Sequence, residues 1–142
     1  MASKYREKEY NYIYCREQYY PYIPITIHGK KKGIFYALVD SGASMSLFHS
    51  SIAEDLGIAL EDSEKVILIG ICGVLESIQA YLKDKVQVSL EGLGTFSMPV
   101  AFTDHEFQDT LIIGREGFFE NFEITFREWE KKLSLTPRRN LI

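Results

Sequence analysis

The chain has 142 residues, 46% hydrophobic and 25% charged, which fits one soluble globular domain able to enclose a core without staples. Its net charge of −4 argues against nucleic-acid partners, because non-specific binding there runs on Lys and Arg meeting phosphates. Two cysteines far apart, Cys15 and Cys72, offer neither a disulfide framework nor metal-ligand spacing, so reduced thiols and a cytoplasmic location are expected.

The first residues are charged and lack the apolar stretch of a signal peptide. No apolar run approaches the ~18 residues that suggest a membrane span, so no membrane partner is expected. Residues 1–22 read as a tyrosine-rich N-terminal extension, holding seven of the nine tyrosines. Tyr10, Tyr12 and Tyr14 alternate, as in a strand with one aromatic face. That face is expected to lie on the chain's own core, with a partner contact as the rival reading.

From Ile23 the pattern is all-β. Ile23–Ile27 alternates, His28–Gly33 reads as a turn, and Ile34–Val39 is an apolar run of buried-strand length that stops at Asp40-Ser41-Gly42. Ser51-x-x-Glu54 has capping-box spacing, and Gly57 follows Leu56, which predicts one helix of about two turns. Glu64–Ile69 and Leu75–Leu82 flank a tip with two glycines and read as a hairpin. Val86–Leu90, Thr95–Phe102 and Thr110–Ile113 follow as strands, the last ending at Gly114. A short helix is expected near Gly117–Phe122, then closing strands at Glu123–Phe126 and Lys132–Thr136. Arg138-Arg139 lies in a short tail, residues 137–142, and reads as a solvated end.

An Asp directly after a buried strand is costly unless it reaches a cleft or shares a proton with another acid. Val39-Asp40-Ser41-Gly42-Ala43 resembles the Asp-Thr/Ser-Gly-Ala signature of retropepsin-like aspartic proteases. Leu111-Ile112-Ile113-Gly114-Arg115 resembles their second signature, and Gly70-Ile71-Cys72-Gly73 falls where that family has its flap. The resemblance spans about residues 23–136, taken as the protease domain, and with Gly117-Phe118-Phe119 is nearer to small bacterial and archaeal members than to viral ones.

The resemblance implies a retropepsin-like acid protease barrel, all-β with one or two short helices. It implies an aspartic endopeptidase that acts on a peptide or protein substrate as a homodimer and needs no cofactor or metal. Asp40 would be the catalytic residue, once per subunit, the two carboxyls sharing one proton and activating a water. Ser41, Gly42, Ala43 and Gly114 would support the catalytic loop, with Gly114 packing behind it. Gly70, Ile71, Cys72 and Gly73 would cover bound peptide as the flap. Viral members often carry Asp at the position of Ser44, paired with the Arg matched by Arg115; here Arg115 must find another acid, Glu116 or one from the other chain. The alternative is a catalytically inactive dimeric peptide-binding module of the same fold.

Other chemistries fit the residues poorly. Gly42-Ala43-Ser44-Met45-Ser46 lacks the closing glycine of a nucleophile elbow. His28, His49 and His105 have no ligand spacing, and no phosphate loop occurs.

Overall fold

Alternation of apolar and polar residues sets most of the strands. In β4 (Tyr22–His28), Ile23, Ile25 and Ile27 are buried while the residues between them are half-buried. The computed structural model describes residues 6–69, 77–106, 111–139 and 141, which form twelve strands and one short α-helix. Before β4 come β1 (Lys8–Asn11), β2 (Ile13–Cys15) and β3 (Gln18–Tyr20). After it come β5 (Lys32–Val39), β6 (Ser46–His49), α1 (Ser50–Leu56) and β7 (Glu64–Ile69). Then follow β8 (Ser77–Leu90), β9 (Gly94–Thr103), β10 (Leu111–Ile113), β11 (Phe122–Arg127) and β12 (Lys132–Pro137).

The main sheet runs β4-β5-β10-β6-β9-β8-β7, and β4 also pairs with β8. That extra pairing closes six strands into a barrel, with β7 attached to the first half of β8. The stretches expected as separate strands at Leu75–Leu82 and Val86–Leu90 meet in the single strand β8. Between Lys83 and Val86 it advances three residues while β9 advances two, from Val100 to Met98. The extra residue is a bulge, and exposed Asp84 and Lys85 take it up outside the core.

The barrel core holds Ile23, Ile25, Phe48, Val88, Met98, Phe102 and Ile113, among others. A smaller cluster of Leu47, Ala80 and Ala101, backed by Met45, Val66 and Leu68, lies on the other side of β6. The tip between β7 and β8, residues 70–76, lies outside the described residues, and with it the flap expectation for Gly70, Ile71, Cys72 and Gly73.

The second sheet is β1-β12-β11. Tyr10 opposite Leu133 faces the core, as do Leu135 and half-buried Ile124 and Phe126. Tyr12 is also buried and continues the pairing through its N–H to the Lys131 carbonyl, 2.7 Å. The third member of the expected aromatic face departs: Tyr14 is exposed on a separate hairpin, β2-β3. The chain breaks from β1 at Tyr12, so the alternation does not carry through.

The helix lies where Ser-x-x-Glu predicts it, but with another cap. His49 is the N-cap, its Nδ1 accepting from the Ser51 N–H at 3.2 Å, and Gly57 ends the helix in the left-handed region with φ 69°. The short helix expected after Gly117 is a 3-10 turn over Phe119–Asn121. Arg138 and Arg139 are exposed yet engaged, donating to the Glu120 carbonyl and the Asn121 side chain.

Candidate active site

Strand β10 lies between β5 and β6, parallel to β5 and antiparallel to β6. All three of its residues are buried, as a strand covered on both faces requires. Because β5 and β10 are parallel, their C-terminal ends emerge together, with Val39 opposite Ile113. This brings Asp40-Ser41-Gly42 next to Gly114-Arg115, although the two segments are distant in sequence.

Backbone bonds join the two segments residue by residue. The Asp40 N–H donates to the Ile113 carbonyl at 2.9 Å, and the Val39 N–H to the Pro21 carbonyl at 3.0 Å. The Arg115 and Glu116 N–H groups donate to the Ala43 and Ser44 carbonyls, each at 2.9 Å. Within the loop, the Asp40 carboxylate Oδ1 accepts from the Gly42 N–H at 2.9 Å, and the Ala43 N–H reaches the Asp40 carbonyl at 3.2 Å. Asp40 is half-buried, Ser41 and Gly42 are exposed, and Ala43 is buried. The side chain of Asp40 is thus held from below and open from above.

Gly114 lies directly under this loop. A Cβ there would lie 2.5 Å from the Met45 carbonyl carbon and oxygen, backbone atoms that cannot turn aside. Only hydrogen fits between β10 and the loop. The Gly114 N–H donates to Ser46 Oγ at 3.0 Å, and Ser46 is fully buried. Ser46 is a support that the sequence reading missed. A polar residue opening the buried run Ser46-Leu47-Phe48 is the signal that marks it.

A cleft of about 330 Å³ opens beside the carboxylate. Leu38, Val39, Asp40 and Ser41 form one side, with Pro21, Tyr12, Phe126 and Glu128 completing it. Tyr12, Phe126 and Glu128 come from the two ends of the chain and carry no motif. Burial pushes the Tyr12 phenol up to about 12, helped by the neighbouring Glu128 carboxylate, which accepts its hydrogen bond. Lys131, bonded to Glu128 at 2.7 Å, holds that carboxylate below its usual range.

Residues 23–116 match the family model described as aspartyl protease. The chain belongs to the aspartyl protease family. Its fold is similar to that of a retropepsin-like aspartic protease from Rickettsia conorii, known from a crystal structure. The TM-score is 0.64 at 16% identity, over 96% of this chain and 97% of that one. No curated protein sequence matches this chain. The retropepsin-like fold is therefore all-β with one short helix, in agreement with the reading from the strand pattern.

Arg115 is exposed and lines a shallow recess with Ser44, Glu116 and Glu120. Among the described residues it forms no ion pair, with Glu116 or any other acid. His49 Nε2 lies 3.5 Å from Glu106, and His28 Nε2 is bonded to Ser89 at 2.7 Å. Among the described residues no group of three His, Cys, Asp or Glu side chains is arranged to hold a metal, and no helix is long and apolar enough to cross a membrane.

Proposed function

We propose that this aspartyl protease family member is an endopeptidase working as a homodimer, with Asp40 of each chain as a catalytic residue. The observation that carries the reading is the setting of Asp40. Its carboxylate accepts from the Gly42 N–H, is half-buried at the end of the barrel, and lines a cleft together with Tyr12, Pro21, Leu38 and Phe126. No second Asp-Ser/Thr-Gly occurs in the chain, so the partner carboxylate comes from a second copy across a two-fold axis.

Two carboxyls in contact hold one proton between them. The charged one takes a proton from a water lying between the pair, and the oxygen attacks the scissile carbonyl carbon. The neutral one gives its proton to the carbonyl oxygen, forming a tetrahedral diol. Collapse of the diol with proton transfer to the amide nitrogen releases amine and acid. Ser41 and Gly42 hold the two loops at the axis, Ala43 anchors the loop inward, and Gly114 backs it. The protease domain spans residues 23–136.

The test is cleavage of an unstructured peptide by purified protein. Asp40→Asn should lower turnover by at least about 10²-fold, as loss of a general acid–base group does. Activity should also fall as pH rises far enough to ionise both carboxyls. Undiminished cleavage by the Asn variant would end this reading. Peptide binding without turnover at any pH would favour an inactive binding module.

A further inference from the structure

The hairpin formed by β2 and β3 lies at the catalytic end of the molecule. Tyr22 pairs with Leu38, and the Val39 N–H meets the Pro21 carbonyl, so the hairpin, which ends at Tyr20, joins the barrel next to the residue bonded to Val39. The strand that leads into the barrel therefore leaves the sheet beside Asp40 and turns back as β3 and β2. Tyr14 and Tyr19 pair across it, ring centroids 5.0 Å apart, and are 62% and 50% exposed. A two-stranded hairpin is marginal alone in water. This one is tethered by Arg16, whose guanidinium stacks over Tyr20 at 4.6 Å and donates to the Tyr22 hydroxyl at 3.0 Å. Its turn is tight, with Arg16 and Glu17 both at positive φ, 49° and 65°.

We propose that this hairpin is an arm that clasps the second copy of the chain, an inference that rests on the homodimer reading of Asp40. Any symmetric assembly that brings two Asp40 loops together brings together whatever flanks them. The hairpin leads into Pro21, which is bonded to Val39 beside Asp40. A fully exposed tyrosine presents roughly 200 Å². At the exposures above, the two rings of each copy would contribute about 450 Å² over the dimer, more than a third of the ~1,200 Å² at which stable interfaces begin. A two-fold contact sets a surface against itself, so it must tolerate its own charge. The turn carries one cation and one anion, Arg16 and Glu17, on a chain whose net charge is −4. The pinned turn presents the rings at small entropic cost.

The experiment is sedimentation of the full chain over a wide concentration range, with peptide cleavage measured on the same samples. The double variant Tyr14→Ser/Tyr19→Ser should raise the dimer Kd by about tenfold or more, with cleavage per dimer restored at high protein concentration. Tyr14→Phe/Tyr19→Phe, which keeps the rings, should dimerise like the wild type. An unchanged Kd in the serine variant overturns the arm and leaves the dimer standing. An unchanged Kd with a raised KM also overturns it, and assigns the hairpin to peptide. A wild type that cleaves as a monomer overturns the homodimer reading and the arm together. If the serine variant does not fold, deuterium uptake by residues 13–20 of the wild type decides. Uptake should rise on dilution through dissociation, and constant uptake refutes the arm.

Discussion

Gly114→Ala places one methyl group where the Asp40 loop crosses β10. The added carbon would meet the Met45 carbonyl carbon and oxygen at 2.5 Å and its nitrogen at 2.8 Å. All three are backbone atoms, so relief requires the loop and the strand to separate. Overpacking of this kind costs about 1–3 kcal/mol. Separation also strains the bonds from Gly114 to Ser46 and from Arg115 to Ala43, each worth about 1 kcal/mol net. The total is about 2–4 kcal/mol. For a domain of this size each kcal/mol shifts Tm by roughly 4 °C, so calorimetry should find a fall of about 8–16 °C. Peptide cleavage measured well below the new Tm should fall too, because the moved segment carries Asp40. Gly42→Ala is the control: its Cβ would meet only Asp40 Oδ1, at 3.2 Å, so activity should suffer with little change in Tm. A Gly114→Ala protein with wild-type Tm and wild-type cleavage would refute the reasoning, since the loop could not then be packed on β10 as described.

Ser46→Ala removes the acceptor of the buried Gly114 N–H and should cost about 1–3 kcal/mol by denaturant unfolding, with cleavage reduced less than by Gly114→Ala. Among the described residues the buried Tyr10 hydroxyl has no hydrogen-bond partner, so Tyr10→Phe should leave Tm unchanged or raise it; a clear fall would reveal a missed partner. Burial, reinforced by Glu91, also pushes the Tyr10 phenol up to about 12. The unfolded chain then gives up that proton first as pH rises. Stability is complete below pH ~10 and should fall above it, by up to about 1.4 kcal/mol per pH unit, until the native phenol ionises. Tyr10→Phe should make that alkaline decline shallower, leaving the share of Tyr12, whose phenol is pushed up likewise.

The parts legible in the sequence are those that local chemistry fixes. Ile23, Ile25 and Ile27 announce their strand by period, and Ile34–Val39 announces a buried strand that ends in turn residues. The same logic finds β10 and Gly114, because an apolar run stopping at glycine is a local event. What period cannot convey is which strands become neighbours. That β10 enters between β5 and β6 depends on the whole barrel, and only this insertion sets Gly114 under Met45. Ser46 escaped notice for that reason: its role is to bond a residue from another strand. Tyr12, Phe126 and Glu128 reach the Asp40 cleft through the pairing of both chain ends. The helix was found, but its cap fell to His49 because the chain enters α1 directly from β6.

The two sides of the Asp40 loop differ in kind, and the difference bears on mechanism. Inward, every contact is specified within one chain: parallel strands align the ends, three backbone bonds join the segments, and a bare glycine takes up the remaining space. Outward, Ser41, Gly42, Ser44 and Arg115 are exposed, and Arg115 has no acid among the described residues. A loop held this firmly from behind keeps its carboxylate in place without a partner, at the cost of little reorganisation when one arrives. The rigid half of the site is therefore built by folding. In the homodimer proposed above, the reactive half, a second carboxyl with a shared proton, is added by association, so cleavage should depend on protein concentration where folding does not. Circular dichroism and cleavage followed through one dilution series separate the two: signal per chain should stay constant while specific activity falls. Constant specific activity down to concentrations where sedimentation finds only monomer would contradict this division.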